Sequence, residues 1–241
     1  MCCKGMCTTS SSPSLFTVAN LLVRVWLPDR PGALGLVASR IGAIGGDIVG
    51  IDVLERSEHV AVDEFAVQLP RADLVKLLVR EIEEVDGASV EEWRSVEQFP
   101  DPRLDALEAV QVICGAPNPT ALAERLVESV RREFAADWAA VFQSSQIIAS
   151  SGDGTPTASV LQALAAGMSA SPAVVAGDAG PDDLAVAPLA ANDALLLAGR
   201  DGHAFRRRER HQLRALAQIA DRFATTFVSS PSSPSRTRQP A

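Results

Sequence analysis

Two α+β domains in tandem are predicted by the apolar pattern of this 241-residue chain. Three observations carry that prediction. Between residues 19 and 98 the spacing of apolar residues switches between period two and a helical period, in the order strand, helix, strand, strand, helix, strand. Phe99-Pro100-Asp101-Pro102 then interrupts any regular element, because each proline biases its predecessor out of the helical region. Beyond it the order changes to paired helices, a hairpin, a short helix, two strands and a long final helix. At roughly 100 to 200 residues per domain, the length suits two small domains, each able to bury a core.

The elements follow one by one. Leu21 to Leu27 alternates with Val23, Val25 and Leu27 on one face and runs into the turn Pro28-Asp29-Arg30-Pro31-Gly32. Leu34, Val37, Ile41 and Ile44 then form one helical stripe, which Gly45-Gly46 stops. Ile48 to Leu54 reads as a strand, Glu55-Arg56-Ser57-Glu58 as a turn, and Val60 to Leu69 as its hairpin partner, with Phe65, Val67 and Leu69 inward. A helix over Ala72 to Val85 and a strand over Ala88 to Val96 complete a ferredoxin-like βαββαβ unit. Past the prolines, Leu104, Leu107 and Val110 begin a helix that fails at Gly115 to Pro119. A second helix from Thr120 carries Leu122, Leu126, Val127, Val130 and Phe134. Trp138 to Phe142 and Gln146 to Ala149 read as a hairpin, Ser159 to Met168 as a helix, and Ser169 to Pro181 as a surface loop. Strands over Leu184 to Leu189 and Ala194 to Ala198 precede a helix over Arg206 to Phe227, with Leu213, Leu216, Ala220, Phe223 and Phe227 facing inward. The expected bounds are a disordered leader at 1–18, domains at 19–98 and 103–228, a linker at 99–102 and a disordered tail at 229–241.

Composition excludes several classes of function. The net charge is −8 and the pI about 4.9, with Lys4 and Lys76 the only lysines, so broad binding to nucleic acid or an anionic membrane is not expected. No apolar run approaches the roughly 20 residues that cross a bilayer, and the start of the chain lacks the apolar stretch of a secretion signal, so a cytoplasmic location is expected. Cys2, Cys3 and Cys7 crowd into the leader without metal-ligand spacing, and only Cys114 lies in patterned sequence. His59, His203 and His211 are scattered, so no metal is expected. A nucleophile elbow is absent, since Gly167-Met168-Ser169-Ala170-Ser171 departs from its pattern, and there is no phosphate-cradling glycine loop. Neither a catalytic constellation nor a cofactor is therefore expected. The basic run Arg206-Arg207-Arg208-Glu209-Arg210 reads as a solvated helix start or a contact for Glu81, Glu83 and Glu84.

The turn Asp29-Arg30-Pro31-Gly32-Ala33-Leu34, followed by Gly45-Gly46-Asp47-Ile48 before the second strand, resembles an ACT domain over residues 19 to 98. That resemblance implies a homodimeric regulatory module whose amino acid, or similar small molecule, lies between this turn of one subunit and the loop before the second strand of its neighbour. On this chain the ligand-binding positions so implied are Asp29, Gly32, Ala33, Leu34, Asp47 and Ile48. The residue types have their own physical reasons. Pro31 sets φ for the helix start, Gly32 lets a ligand approach the backbone, and the free amides of a helix start attract a carboxylate. Asp29 has a structural alternative as the cap of that helix. Asp47 stands where the family commonly has Asn, and a carboxylate accepts hydrogen bonds without donating them. Two outcomes stay open: a ligand held chiefly through its ammonium, or a dimerising adaptor whose site is empty. Arg30 is the candidate to offset the charge.

Residues 103 to 228 are similar to a GAF-like sensory domain in their opening helices, the hairpin after Ala136-Asp137-Trp138, the strand Val186-Ala187-Pro188-Leu189, and the step Gly199-Arg200 to Ala204-Phe205. This implies a module that senses a second small molecule or transmits through dimer helices, with a signalling or metabolic protein as a further partner. A tandem second ACT module, or an accessory subunit of an enzyme of amino-acid metabolism, ranks behind.

Overall fold

The computed structural model describes residues 18 to 229, with side chains to Phe227. The expected leader, apart from Val18, and the tail beyond Ser229 lie outside the described residues. The protein is mixed α+β with two antiparallel sheets, and the chain divides into two compact units between Phe99 and Pro100.

The first unit runs β1 (Ala19–Pro28), α1 (Ala33–Ala43), β2 (Asp47–Arg56), β3 (Val60–Leu69), α2 (Val75–Glu83) and β4 (Ser89–Ser95). Its sheet has the order β2-β3-β1-β4, so β1 and β3 are central and β2 has one neighbouring strand among the described residues. Branched residues at period two explain the central pair. Leu21, Val23, Val25 and Leu27 of β1 stand opposite Val67, Phe65, Asp63 and Ala61 of β3 and face the helices. Val37 and Ile41 of α1 and Leu78 and Ile82 of α2 close this core, each fully buried. At about 1.5 to 3 kcal/mol for a fully buried large aliphatic chain, such residues dominate the stability of the unit. Leu34 does not join them. It is 40% exposed, while Ala33 at 3% takes the inward position, because the buried stripe of α1 runs through Ala33, Val37 and Ile41 at intervals of four, and Leu34 lies about 100° round the helix from Ala33. A 3-10 turn at Ala72–Leu74 replaces the first turn of the expected second helix.

The second unit runs α3 (Pro102–Cys114), α4 (Pro119–Glu133), β5 (Trp138–Gln143), β6 (Gln146–Ser151), α5 (Ala158–Ser169), α6 (Pro172–Ala176), β7 (Leu184–Leu189), β8 (Ala194–Gly199) and α7 (Arg207–Ser229). Its sheet order is β6-β5-β8-β7, and it carries helices on both faces. One face is rich in alanine, including Ala139, Ala185, Ala187 and Ala198, so α4 and α7 supply the bulk through Leu126, Val130, Leu213 and Leu216. On the other face Trp138, Phe142, Leu161, Met168 and Leu197 fill the space beneath α5.

Four expectations are corrected here. In α3 Leu104 and Leu107 are 51% and 68% exposed, and Ala109 and Ile113 are the buried pair, packed in one cluster with residues of α4 and α7. The segment from Ser169 to Pro181 is not wholly loop, since Pro172 at a helix start builds α6, which ends at Gly177 in the left-handed region. Ser229 belongs to α7 and not to the tail. The basic run is not a solvated face either. Arg206, Glu209 and Arg210 are buried, Arg210 donates to the carbonyl of Pro181 at 2.7 Å, and Arg207 pairs with Asp178 at 2.9 Å. These cations bind Asp178 and Pro181 to the start of α7, Arg214 one turn further on donates to the Ala176 carbonyl, and Glu81 pairs instead with Arg40.

Candidate functional site

β1 ends at Pro28, and the turn that follows is held to the β2–β3 hairpin by the amide of Asp29, which donates to the His59 carbonyl at 2.9 Å. Gly32 is the N-cap of α1 with φ of 90°, a conformation that favours glycine, and a Cβ added there would meet nothing within 4 Å. The backbone is therefore bare on its outer side. No side chain caps this helix. By contrast Asp101 caps α3 by accepting from the amides of Arg103 and Leu104, and Asn118 caps α4 by accepting from that of Ala121. The start of α1 thus combines a positive helix end with open access.

Asp29 does not cap it. Its two carboxylate oxygens accept from Arg56 Nε at 2.7 Å and Nη2 at 2.8 Å, a bidentate pair at the end of β2. Arg56 holds the Asp29 carboxyl below the usual carboxylate range, and Asp29 in turn raises the guanidinium. Arg30, the expected offset, points to Asp86 at 3.4 Å, and both are solvated. Beside the Asp29–Arg56 pair lies Asp63. It is 5% exposed, and its Oδ1 has no hydrogen-bond partner. Burial pushes its carboxyl up, the charge of Asp29 adds to this, and Arg56 opposes it.

The six positions implied by the resemblance divide into two groups. Asp29, Gly32, Ala33 and Leu34 share the turn and the first turn of α1, with Gly32 and Leu34 exposed and Ala33 buried. Asp47 and Ile48 begin β2, with Asp47 exposed opposite Gln68 and Ile48 half-buried against the core. Arg56, the partner of Asp29, ends the same ten-residue strand, so Asp47 lies roughly 30 Å from it at the usual rise per residue. Within one chain the two groups are apart.

Two residues of this cluster escape a reading of motifs alone. Arg56 sits in the sequence as part of a polar turn, and only the hairpin register carries it back over Asp29. Asp63 left a signal: it occupies the inward parity of β3, two before Phe65 in the series Ala61, Asp63, Phe65, Val67, Leu69.

The second unit holds a cavity of 140 Å³ between α4, α7 and the sheet, lined by Leu122, Leu126, Val141, Leu189 and Ala220. Its rim is polar, but the groups there satisfy one another: Asp221 accepts from the amide of Ala191 and from Asn192 Nδ2, and Gln143 donates to the Asn192 carbonyl. No helix among the described residues is long and apolar enough to cross a membrane.

No family model matches the chain, and no curated protein matches it in sequence. Solved structures similar to it include the ACT domain of a GTP pyrophosphokinase from Chlorobium tepidum, at 13% identity over 35% of this chain and 91% of that one, with a TM-score of 0.27. The chromophore-binding domain of the bacteriophytochrome RpBphP3 from R. palustris is 11% identical over 90% of this chain and 98% of its own, with a TM-score of 0.36. The photosensory core module of a Stigmatella aurantiaca phytochrome is 11% identical over 93% of this chain and 60% of its own, with a TM-score of 0.35. Identities and scores this low carry no residue role across.

Proposed function

We propose that this protein is a non-catalytic regulator: its first unit, an ACT-like module, binds an amino acid at the start of α1, and its second, a GAF-like module, receives the resulting signal. The observation that carries this reading is the uncapped, bare-backboned start of α1 beside the Asp29–Arg56 pair. A zwitterion needs donors for its carboxylate and an acceptor for its ammonium. The α1 amides and Arg56 supply the first, and Asp29 supplies the second.

Homodimerisation belongs to the same proposal. Val49 and Ile51 of the marginal strand β2 are 55% and 40% exposed, which a second copy would cover. A second copy is also the means by which Asp47 and Ile48 approach the Asp29 turn, from which they are separated in one chain. Regulation follows if the ligand favours one arrangement of the dimer over another, since a ligand of equal affinity for both shifts nothing. The adaptor reading draws support from Arg56, which already occupies Asp29.

Thermal-shift titration of the full chain with each common amino acid tests the proposal. The unfolding midpoint should rise with ligand concentration, by the equivalent of about 2.7 kcal/mol at one hundred times Kd, and Asp29→Asn and Gly32→Asp should each abolish the response. Lack of response to any amino acid at millimolar concentration would leave the adaptor. Sedimentation of the full chain should show a dimer, and a monomer at high concentration would remove the interfacial site.

A further inference from the structure

Asp63 is left over by the amino-acid-binding reading. It points to the helix-bearing side of the first sheet, Cα-paired with Val25 of β1 and Val53 of β2, where a well-packed β3 would carry another aliphatic residue. Only 5% of it is exposed and its Oδ1 lacks a partner, an arrangement that is strongly unfavourable for an ionised carboxylate unless a cation reaches it. The neighbouring charges do not meet that need. Arg56 stands opposite Ala61 on the same face, two residues before Asp63, but both of its ligating nitrogens are committed to Asp29. Two carboxylates therefore share one guanidinium, leaving the cluster one negative charge in excess while both are ionised.

Resting on the amino-acid site proposed above, we infer that Asp63 is the floor of that site, that it receives the side-chain cation of the ligand, and that the ligand is consequently a basic amino acid. A neutral amino acid would leave the excess charge where it is, whereas a ligand of net charge +1 cancels it. The α-ammonium and α-carboxylate remain with Asp29, Arg56 and the start of α1. Arg56, 71% exposed, is a side chain free to swing from Asp29 to the ligand carboxylate, and the bidentate contact it makes now shows the kind of cation this corner accepts. The elevated Asp63 carboxyl agrees with a site awaiting a cation, because a positive charge would return it to the ionised form.

Calorimetric titration of the full chain with L-lysine, L-arginine and L-norleucine separates this inference from the reading beneath it. Norleucine matches the lysine chain without its ammonium. Lysine or arginine should bind at least about tenfold tighter than norleucine, and Asp63→Asn should reduce the basic ligand to the norleucine level. The same variant without ligand should unfold at an equal or higher midpoint at pH 7, since it removes a buried carboxylate whose Oδ1 has no partner. Equal binding of norleucine and lysine, or unchanged lysine binding by Asp63→Asn, would overturn the role of Asp63 and leave an amino-acid site standing. A lowered midpoint of the ligand-free variant would also overturn it, by showing that Asp63 already has a partner in the fold. Failure of every amino acid to bind would remove both readings.

Discussion

Replacing Arg200 by leucine should unfold the second unit more easily than any other single change of a charged residue in it. Arg200 follows β8, its side chain is 1% exposed, and its guanidinium lies 4.0 Å above the ring of Phe205. All five donors are engaged. Nε donates to the His203 carbonyl at 3.2 Å, Nη1 to the Phe134 carbonyl at 2.6 Å and Glu209 Oε1 at 2.9 Å, and Nη2 to the Ala204 carbonyl at 2.7 Å and Glu209 Oε2 at 2.8 Å. Glu209 also accepts from the amide of Arg206 at 2.7 Å, one half of a capping box at the start of the 23-residue α7. One side chain therefore joins the end of α4, the end of β8 and the start of α7. Arg200→Leu removes the guanidinium from the Glu209 carboxylate, 10% exposed, and from three carbonyls. Breaking a buried pair costs about 3 to 5 kcal/mol, well above the ~1 kcal/mol of a neutral hydrogen bond. Arg200→Leu with Glu209→Leu should recover only part of that, because the carbonyls remain. Urea unfolding followed through Trp138, in a background with Trp26 and Trp93 replaced by phenylalanine, reports this unit. A loss below about 1 kcal/mol would refute the assignment of Arg200 as the tie between these elements.

Further outcomes can be measured in the same way. Gly199→Ala should destabilise the second unit by about 1 to 3 kcal/mol, because a Cβ there would enter the indole of Trp138 across the β5–β8 ladder, and urea unfolding would show it. Leu107→Ser should alter stability by no more than ~0.5 kcal/mol while Ile113→Ala costs about 2 to 5, which chemical denaturation distinguishes and which inverts the order expected from the apolar stripe of α3. Asp29 has a lowered carboxyl in the fold, so its pairing with Arg56 contributes stability above the unfolded carboxylate pKa of about 4 and loses it as pH falls. Asp29→Asn should therefore flatten the acid side of a plot of midpoint against pH, and its difference from the parent should shrink as pH falls through the lowered titration of the folded Asp29 carboxyl. Asp63 has the opposite sign. Its raised carboxyl disfavours the fold increasingly as pH rises from about 4, so Asp63→Asn should gain on the parent over that range.

Much of the element order was legible because spacing is a local property. Val60–Leu69 could be read to the residue, and the Pro31-Gly32 turn could be placed before α1. The stripe of α3 was not legible in the same way, since leucine at helical spacing announces an amphipathic helix without saying which neighbour it meets, and α4 meets Ala109 and Ile113. The basic run failed as a surface reading for a related reason. Arginines next to one another in sequence diverge around a helix, so Arg207 remains half in solvent while Arg206 and Arg210 are buried and Arg210 reaches the carbonyls of Gly180 and Pro181.

At the candidate site the division is sharper. The turn and its bare glycine are written in a run of six residues, Asp29 to Leu34, and require only local backbone geometry. Which cation meets Asp29 required the β2–β3 register, because the sequence offers Arg30 beside it and places Arg56 in a polar turn, and the hairpin carries Arg56 to the carboxylate. The sequence by itself determined most of the order of strands and helices and the Asp29 to Leu34 turn, which arise from neighbours along the chain. The tertiary structure alone decided that Asp63 is buried beside Asp29 with its Oδ1 unpartnered and that Asp47 lies at the far end of β2, because burial and distance are set by strands that meet only when the sheet closes.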